Sequence, residues 1–275
     1  MKQGLLIFLL AVSNVLILLS VVKDDADASI SFFDVGQGDG SLIRLGKVDV
    51  LIDAGPGKSV LYGLENVIPK TDKYIDLVVI SHPHADHYGG LEDVLSNYSI
   101  GAIVWNGSSE DERFNAIIEK AGERGIQIIN LFAGSAIRTE RLDMKVIYPP
   151  READKLLSGN NSSLVIFTEA GELTGLFTGD IERNAESAIS AILFPEVDFL
   201  KVPHHGSSVS SSYGFLSALN PAVAVISVGQ NSYGLPNSAT LERLASFNIP
   251  VFRTDKLGSI KLVKKNEKLY VKSLE

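Results

Sequence analysis

The chain has 275 residues, 45% of them hydrophobic, and 25 Lys and Arg stand against 33 Asp and Glu for a formal net charge of −8. That content is ample for one large core, and the global negative charge opposes binding to polyanions through lysines and arginines alone. There is no cysteine, which excludes thiolate ligands, thiol nucleophiles and disulfides together, so any bound metal is held by nitrogen and oxygen.

Residues 4–22 are apolar apart from Ser13, Asn14 and Ser20, with Lys2 before them and Lys23-Asp24-Asp25-Ala26-Asp27-Ala28 after. Such a stretch matches the ~20 residues that span a bilayer, and Ala26-Asp27-Ala28 fits a signal-peptidase site. Residues 1–28 are therefore read as a signal peptide or membrane anchor, and 29–275 as one domain outside the cytoplasm. Short β-rich runs at 29–35, 41–45 and 48–52 are separated by turns at 36–40 and 46–47. The continuous apolar run 77–80 is typical of a strand buried on both faces. A helix from near Gly90 and another over 110–124 lead to strands at 126–131 and 145–147. A second series follows, with strands at 163–167, 173–177, 199–202 and 222–227, and helices at 182–191 and 239–247. Strands at 251–252, 259–263 and 269–271 close the chain. Periodicity alone makes this a mixed α and β domain.

All five histidines fall in two clusters: His82, His84 and His87 in Ser81-His82-Pro83-His84-Ala85-Asp86-His87-Tyr88, and the pair His204-His205. Imidazoles set close to a carboxylate or to one another are what a divalent metal needs. Two histidines two residues apart can converge on one ion, and the following Asp-His pair can hold a second. Both clusters follow apolar strands, where a rigid sheet can aim them. The motif His82-Pro83-His84-Ala85-Asp86-His87 resembles the signature of the metallo-β-lactamase superfamily. Phe33-Asp34-Val35-Gly36-Gln37-Gly38-Asp39, Leu51-Ile52-Asp53-Ala54-Gly55, Thr178-Gly179-Asp180 and Lys201-Val202-Pro203-His204-His205-Gly206 are similar to those of the hydrolase domain of ComEC-type DNA-uptake (competence) proteins. The motifs run in family order from about residue 30 to the C-terminus.

The resemblance implies a four-layer αββα sandwich with one or two Zn²⁺ or Mn²⁺ ions. His82 and His84 would hold the first ion, Asp86 and His87 the second, with Asp180 between them, and a metal-bound water would be the nucleophile. Asp180 has a second reading as the cap of a helix starting near Ile181. One imidazole of His204-His205, assigned to His204, would complete the metal site. The other would contact a scissile phosphate or act as general acid, which makes Asp86, His204 and His205 the catalytic set; the bland reading is a structural pair. Asp34, Asp39 and Asp53 lie in motifs that approach the site in relatives; Asp53 and Asp39 would orient ligand histidines, and either of these two reads otherwise as a turn-former beside glycine. Lys201 either neutralises phosphate charge or reaches solvent, while Asn160, Asn161, Ser162 and Ser207 would either support the ligands or meet substrate.

Three departures from the family pattern stand out. Gly159-Asn160-Asn161-Ser162-Ser163 occupies the stretch where many members place a further histidine, which predicts a weaker or more water-rich first site. Gly234-Leu235-Pro236-Asn237 replaces a Gly-His-Pro-His stretch, so the second metal must borrow from His204 or His205 or bind fewer protein ligands. Gly40 stands where Ser or Ala is commoner. The leading expectation is an extracytoplasmic metal-dependent phosphodiesterase or nuclease acting on single-stranded DNA, either beside a membrane uptake channel or as a scavenger. Alternatives are a small-molecule ester or amide hydrolase of the same fold, or a catalytically weak DNA-binding or docking module. The basic run between Arg253 and Lys272 either flanks DNA phosphates or solvates a terminal hairpin.

Overall fold

Alternation of apolar side chains sets the two faces of the first sheet in this computed structural model, which describes residues 28–151, 159–192 and 194–274. In β1 (Ser29–Phe32), β2 (Gly40–Leu45) and β3 (Val48–Ala54), Ile30, Phe32, Ile43, Val50 and Ile52 face one core while Leu42 and Leu51 face another, as the two-residue period of a strand requires. Helix α1 (Ser59–Val67), β4 (Tyr74–Val79), the single turn α2 (Ala85–Tyr88), α3 (Leu91–Asn97), β5 (Ser99–Trp105), α4 (Glu112–Glu123) and β6 (Gln127–Asn130) follow. The second sheet takes β7 (Ala136–Arg138), β8 (Leu142–Tyr148), β9 (Val165–Ala170), β10 (Leu173–Phe177), β11 (Phe199–Lys201), β12 (Val223–Ile226) and β13 (Val251–Arg253). Its helices are α5 (Arg183–Ile189), α6 (Tyr213–Leu219) and α7 (Ser238–Ser246). The short α8 (Thr254–Leu257) then delivers the hairpin β14 (Ile260–Lys265) and β15 (Lys268–Ser273) back to the first sheet.

Strand order is β15-β14-β1-β2-β3-β4-β5-β6 in one sheet and β13-β12-β11-β10-β9-β8-β7 in the other. The sheets face each other across a core in which the rings of Phe32, Phe177 and Phe199 lie 5.3–5.9 Å apart, within the range of favourable aromatic pairs. Val60, Leu64, Leu91, Val94, Phe114 and Ile117 cover the outer face of the first sheet. Ala185, Ile189, Phe215, Leu216 and Leu244 cover the outer face of the second. The result is the four-layer αββα sandwich. Strands β3, β4, β10 and β11 are largely buried on both faces, which is why the end of β4 reads as a continuous apolar run. The first strand ends at Phe32 rather than residue 35, ahead of the bend at 36–38 in the site loop. Strands β5 and β7 and helices α1 and α6 were absent from the expected elements. The expected signal peptide or anchor lies outside the described residues, among which no helix is long and apolar enough to cross a membrane.

Candidate metal centre

The histidine motif turns on Pro83. A residue before proline is pushed to extended backbone, and His84 is extended too (φ −102°, ψ 146°). Side chains two apart on extended chain share a side, so His82 Nε2 and His84 Nδ1 meet at 3.0 Å. The turn α2 then carries Asp86 and His87 away from that pair, so the six-residue motif serves two places. Opposite it, β10 ends in Thr178-Gly179-Asp180. Gly179 is in the left-handed region (φ 51°), and a Cβ there would sit 2.7 Å from Ser163 and 3.0 Å from Ser81, so only glycine lets the chain turn Asp180 into the cleft. Asp180 is no helix cap, since α5 starts at Arg183 and Glu182 precedes it. After β11, His204 and His205 are both left-handed (φ 53° and 51°), each a strain of about 1–3 kcal/mol that the surroundings must hold.

Asp86, His87, Asp180 and His205 bring one donor atom each to within 4.8 Å of one another. The Nδ1 of His87 lies 2.9 Å from Asp53 Oδ2, and that of His205 lies 2.9 Å from the Ser227 carbonyl. Both imidazoles therefore turn Nε2 inward. His87 Nε2 is 3.4 Å and His205 Nε2 3.5 Å from Asp180 Oδ2, and His205 Nε2 is 3.2 Å from Asp86 Oδ2. His87 Nε2 and Asp180 Oδ1 are buried without a hydrogen-bond partner, as ligand atoms would be. Two imidazole nitrogens and two carboxylates suit Zn²⁺ or Mn²⁺. The electrostatics agree. Burial disfavours a charged His205, yet Asp180 and Asp39 push it up to about 10. Burial likewise opposes charge on His87, but Asp180, Asp53 and Asp39 raise it well above the ordinary histidine value. Burial favours protonated Asp86 and Asp180, yet His205 and His87 hold Asp86 down to about 2 and Asp180 well below the carboxylate range. A field that keeps protons on two buried imidazoles is one that a divalent cation would occupy, displacing them.

A second group, Asp39, Asp53 and His87, has a cation built in. The ammonium of Lys201, a buried side chain, is ion-paired to Asp39, donates to the Gly179 carbonyl at 3.3 Å and lies 3.8 Å from Asp180 Oδ1. Lys201 neither reaches solvent nor faces substrate: it sits beneath the site and balances its carboxylates. Asp53, left-handed itself (φ 58°), accepts from Ser81 N and Oγ at 2.7 and 2.8 Å as well as facing His87.

The remaining expected residues divide. His84 is exposed, and among the described residues no carboxylate joins it and His82 in a close group. His205, rather than His204, lies in the four-donor cluster, although both residues are left-handed and both line the cleft. His204 faces the cleft, 3.4 Å from Asn160 Nδ2 and 3.8 Å from Glu182 Oε1; burial, partly offset by Asp180, lowers its pKa. Asn161 Oδ1 accepts from Glu182 N, and Ser162 Oγ donates to the Gly159 carbonyl, so both shape the loop rather than the cleft. Asp34 is an exposed turn-former whose Oδ1 accepts from Gly36 N at 3.1 Å. Asn237, where a family histidine is expected, caps α7 by accepting from Ala239 N. Ser207, Asn160, Gln37, Tyr233 and Leu235 line a cleft of about 700 Å³ with Asp86, Asp180 and both late histidines.

The superfamily profile described as metallo-beta-lactamase superfamily matches residues 33–110. This is a metallo-β-lactamase domain. It is 31% identical over 265 residues to ComE operon protein 3 of Bacillus subtilis, covering 88% of this chain and 34% of that protein. It is 27% identical to competence protein ComA of Neisseria gonorrhoeae, covering 85% and 32%. The chain thus spans about a third of the length of these curated relatives. Among solved structures, the metallo-beta-lactamase fold protein YhfI from Bacillus subtilis superposes with a TM-score of 0.60 at 14% identity, over 86% of this chain and 100% of that one. The metallo hydrolase Igni18 from Ignicoccus hospitalis gives 0.56 at 15%, with the same coverages. These two likenesses show the fold.

Sequence reasoning gave no role to Ser81, Ser227 or Glu182, which orient Asp53, His205 and the Asn160–His204 corner of the domain. The first could have been suspected as the residue joining a strand to the histidine motif; a backbone carbonyl such as that of Ser227 leaves no signal. No residue of the basic run lines the cleft, and its far end points away from it. Arg253 pairs with Asp255 at 2.7 Å and Lys264 with Asp198 at 2.8 Å. The register Phe32–Ile260, Ser29–Val263 puts Lys265 and Lys268 beyond the end of β1 that is opposite the site loop.

Proposed function

We propose that this domain is a metal-dependent phosphodiesterase acting on single-stranded DNA outside the cytoplasm, alone or beside a membrane uptake channel. The observation that carries the reading is the four-donor cluster in a chain 31% identical to a ComE operon protein. Asp86, His87, Asp180 and His205 would hold a Zn²⁺ or Mn²⁺ ion, with His82 and His84 offering a weaker second position. When bound, the metal supplies a water nucleophile near neutral pH and polarises the phosphoryl oxygen. The chain's own residues do the rest. Asp53 and the Ser227 carbonyl fix the tautomers of His87 and His205. Against the effect of burial, Lys201 keeps Asp39 anionic. His204 faces the cleft as a neutral imidazole, held by Asn160, and hydrogen-bonds a substrate oxygen.

Cleavage of a single-stranded oligonucleotide by the full chain with Mn²⁺ or Zn²⁺ tests this. Asp86→Ala is expected to lose at least about 100-fold in kcat/KM, beyond the ~10–100-fold typical of groups that only orient ligands. Equal activity in the variant and the wild type overturns the site. Faster hydrolysis of a chromogenic lactam than of any phosphodiester overturns the substrate.

A further inference from the structure

An acidic chain whose basic run supplies no residue to the lining of its cleft needs another means of holding a polyanion. Residues 229–237 supply one. Tyr233 lines the cleft with Asp86, Asp180, His204 and His205 and is 78% exposed. A single exposed tyrosine means little; the backbone beneath this one is held still. The Asn231 side chain accepts from Tyr233 N and Leu235 N at 3.1 and 3.0 Å and donates to the Gly229 and Leu235 carbonyls, both at 2.9 Å. At one end of the segment Gly229 N donates to Gln37 Oε1 at 3.4 Å, and at the other Asn237 N donates to the Gly206 carbonyl at 2.9 Å, directly after His205. The segment is thus tied to both stretches that build the site, while its aromatic ring is left to solvent.

We propose that Tyr233 is a stacking platform for a nucleobase beside the scissile phosphate of a single-stranded nucleic acid, which rests on the phosphodiesterase reading above. A tyrosine on a fixed backbone has few rotatable bonds to immobilise on binding, and a ring face accepts any base, so stacking adds affinity without cations and without sequence preference. The ring holds the strand; the cluster deeper in the cleft meets the phosphate.

The test compares wild type, Tyr233→Phe and Tyr233→Ala in the full chain, by anisotropy of a short fluorescein-labelled single strand and by steady-state cleavage. Tyr233→Ala is expected to raise Kd and KM about tenfold, or about 1.4 kcal/mol, with kcat within about twofold, while Tyr233→Phe stays near wild type. An abasic site scanned along the strand should find one position that costs wild type the same factor and costs Tyr233→Ala nothing more. Overlap of all three proteins overturns the proposal, as does an alanine loss that persists undiminished at every abasic position. Wild-type binding with this signature but no cleavage sinks the phosphodiesterase and leaves the platform standing. Cleavage indifferent to Tyr233 does the reverse, and neither binding nor cleavage overturns both.

Discussion

His87 and His205 each have one ring nitrogen bonded to a fixed acceptor, Asp53 Oδ2 or the Ser227 carbonyl, and the other aimed at Asp180. His82 and His84 meet at 3.0 Å, but His82 Nδ1 has only the Ser81 hydroxyl behind it at 3.2 Å, and His84 stands exposed. The same residue type, within one motif, is thus built to two standards. The contrast teaches that counting histidines does not measure a metal site. A donor pre-aimed by its second nitrogen, in a field of buried carboxylates, binds before any reorganisation; a converging but unsupported pair must first be ordered by the ion.

The largest expected effect breaks this contrast if it is wrong. His205→Ala should lose most of the metal that survives dialysis, with affinity down about 100-fold or more, whereas His84→Ala should keep close to one ion per chain by elemental analysis. Equal losses in the two variants would erase the difference between the arms. A sharper measurement follows protons. His205 is pushed up to about 10 and His87 is raised, so at pH 7 both are protonated without metal. The stability that the His205 proton confers is complete below the ordinary histidine value and is lost as pH rises through about 10. Metal loading near pH 7 should therefore release about two protons per ion, seen as a buffer-dependent heat of binding, and affinity should climb with pH. No dependence on buffer would mean the ion binds elsewhere.

The smallest effect uses a buried carboxylate without such partners. Asp49, at the end of β3 remote from the site, is buried with Arg44 at 3.3 Å. Burial outweighs Arg44 and pushes it up to about 7. The folded state then binds more protons than the unfolded one between the ordinary carboxylate range and about 7, so stability falls as pH rises through that window. Asp49→Asn should stabilise the fold by about 1 kcal/mol at pH 8, with the gain in thermal midpoint shrinking at pH 5. A constant gain would show that Asp49, like Asp180, is held ionised.

Much of the fold was legible because most strands here are apolar runs broken by glycine turns, as in β2, β3 and β10. Helix α1 was not. Its Gly63 lowers helix propensity, yet a Cβ there would sit 2.3 Å from the Phe33 ring, so a tertiary contact decides the element. Strand β5 hides for a similar reason, with Gly101-Ala102 interrupting its β-branched pattern. In the site, residue types and spacing were enough to pick out His82, His84, Asp86, His87 and Asp180 as candidates. They could not say which of His204 and His205 joins the cluster, because adjacent residues on left-handed backbone follow no spacing rule. Lys201 looked like a surface or substrate-facing lysine in sequence, since its partner Asp39 arrives from the other half of the chain.

The placement of β1 between β2 and β14 has a kinetic side. Ile30 and Phe32 pair in register with Leu262 and Ile260, so strands from opposite ends of the domain must meet before the first sheet is complete. Contacts so distant in sequence form late and slowly, and until β14 arrives, β1 offers an open edge to any passing strand. Folding of this domain is thus a race between its own last hairpin and a neighbour's exposed edge, one that the lysines of that hairpin help decide by discouraging edge-to-edge pairing.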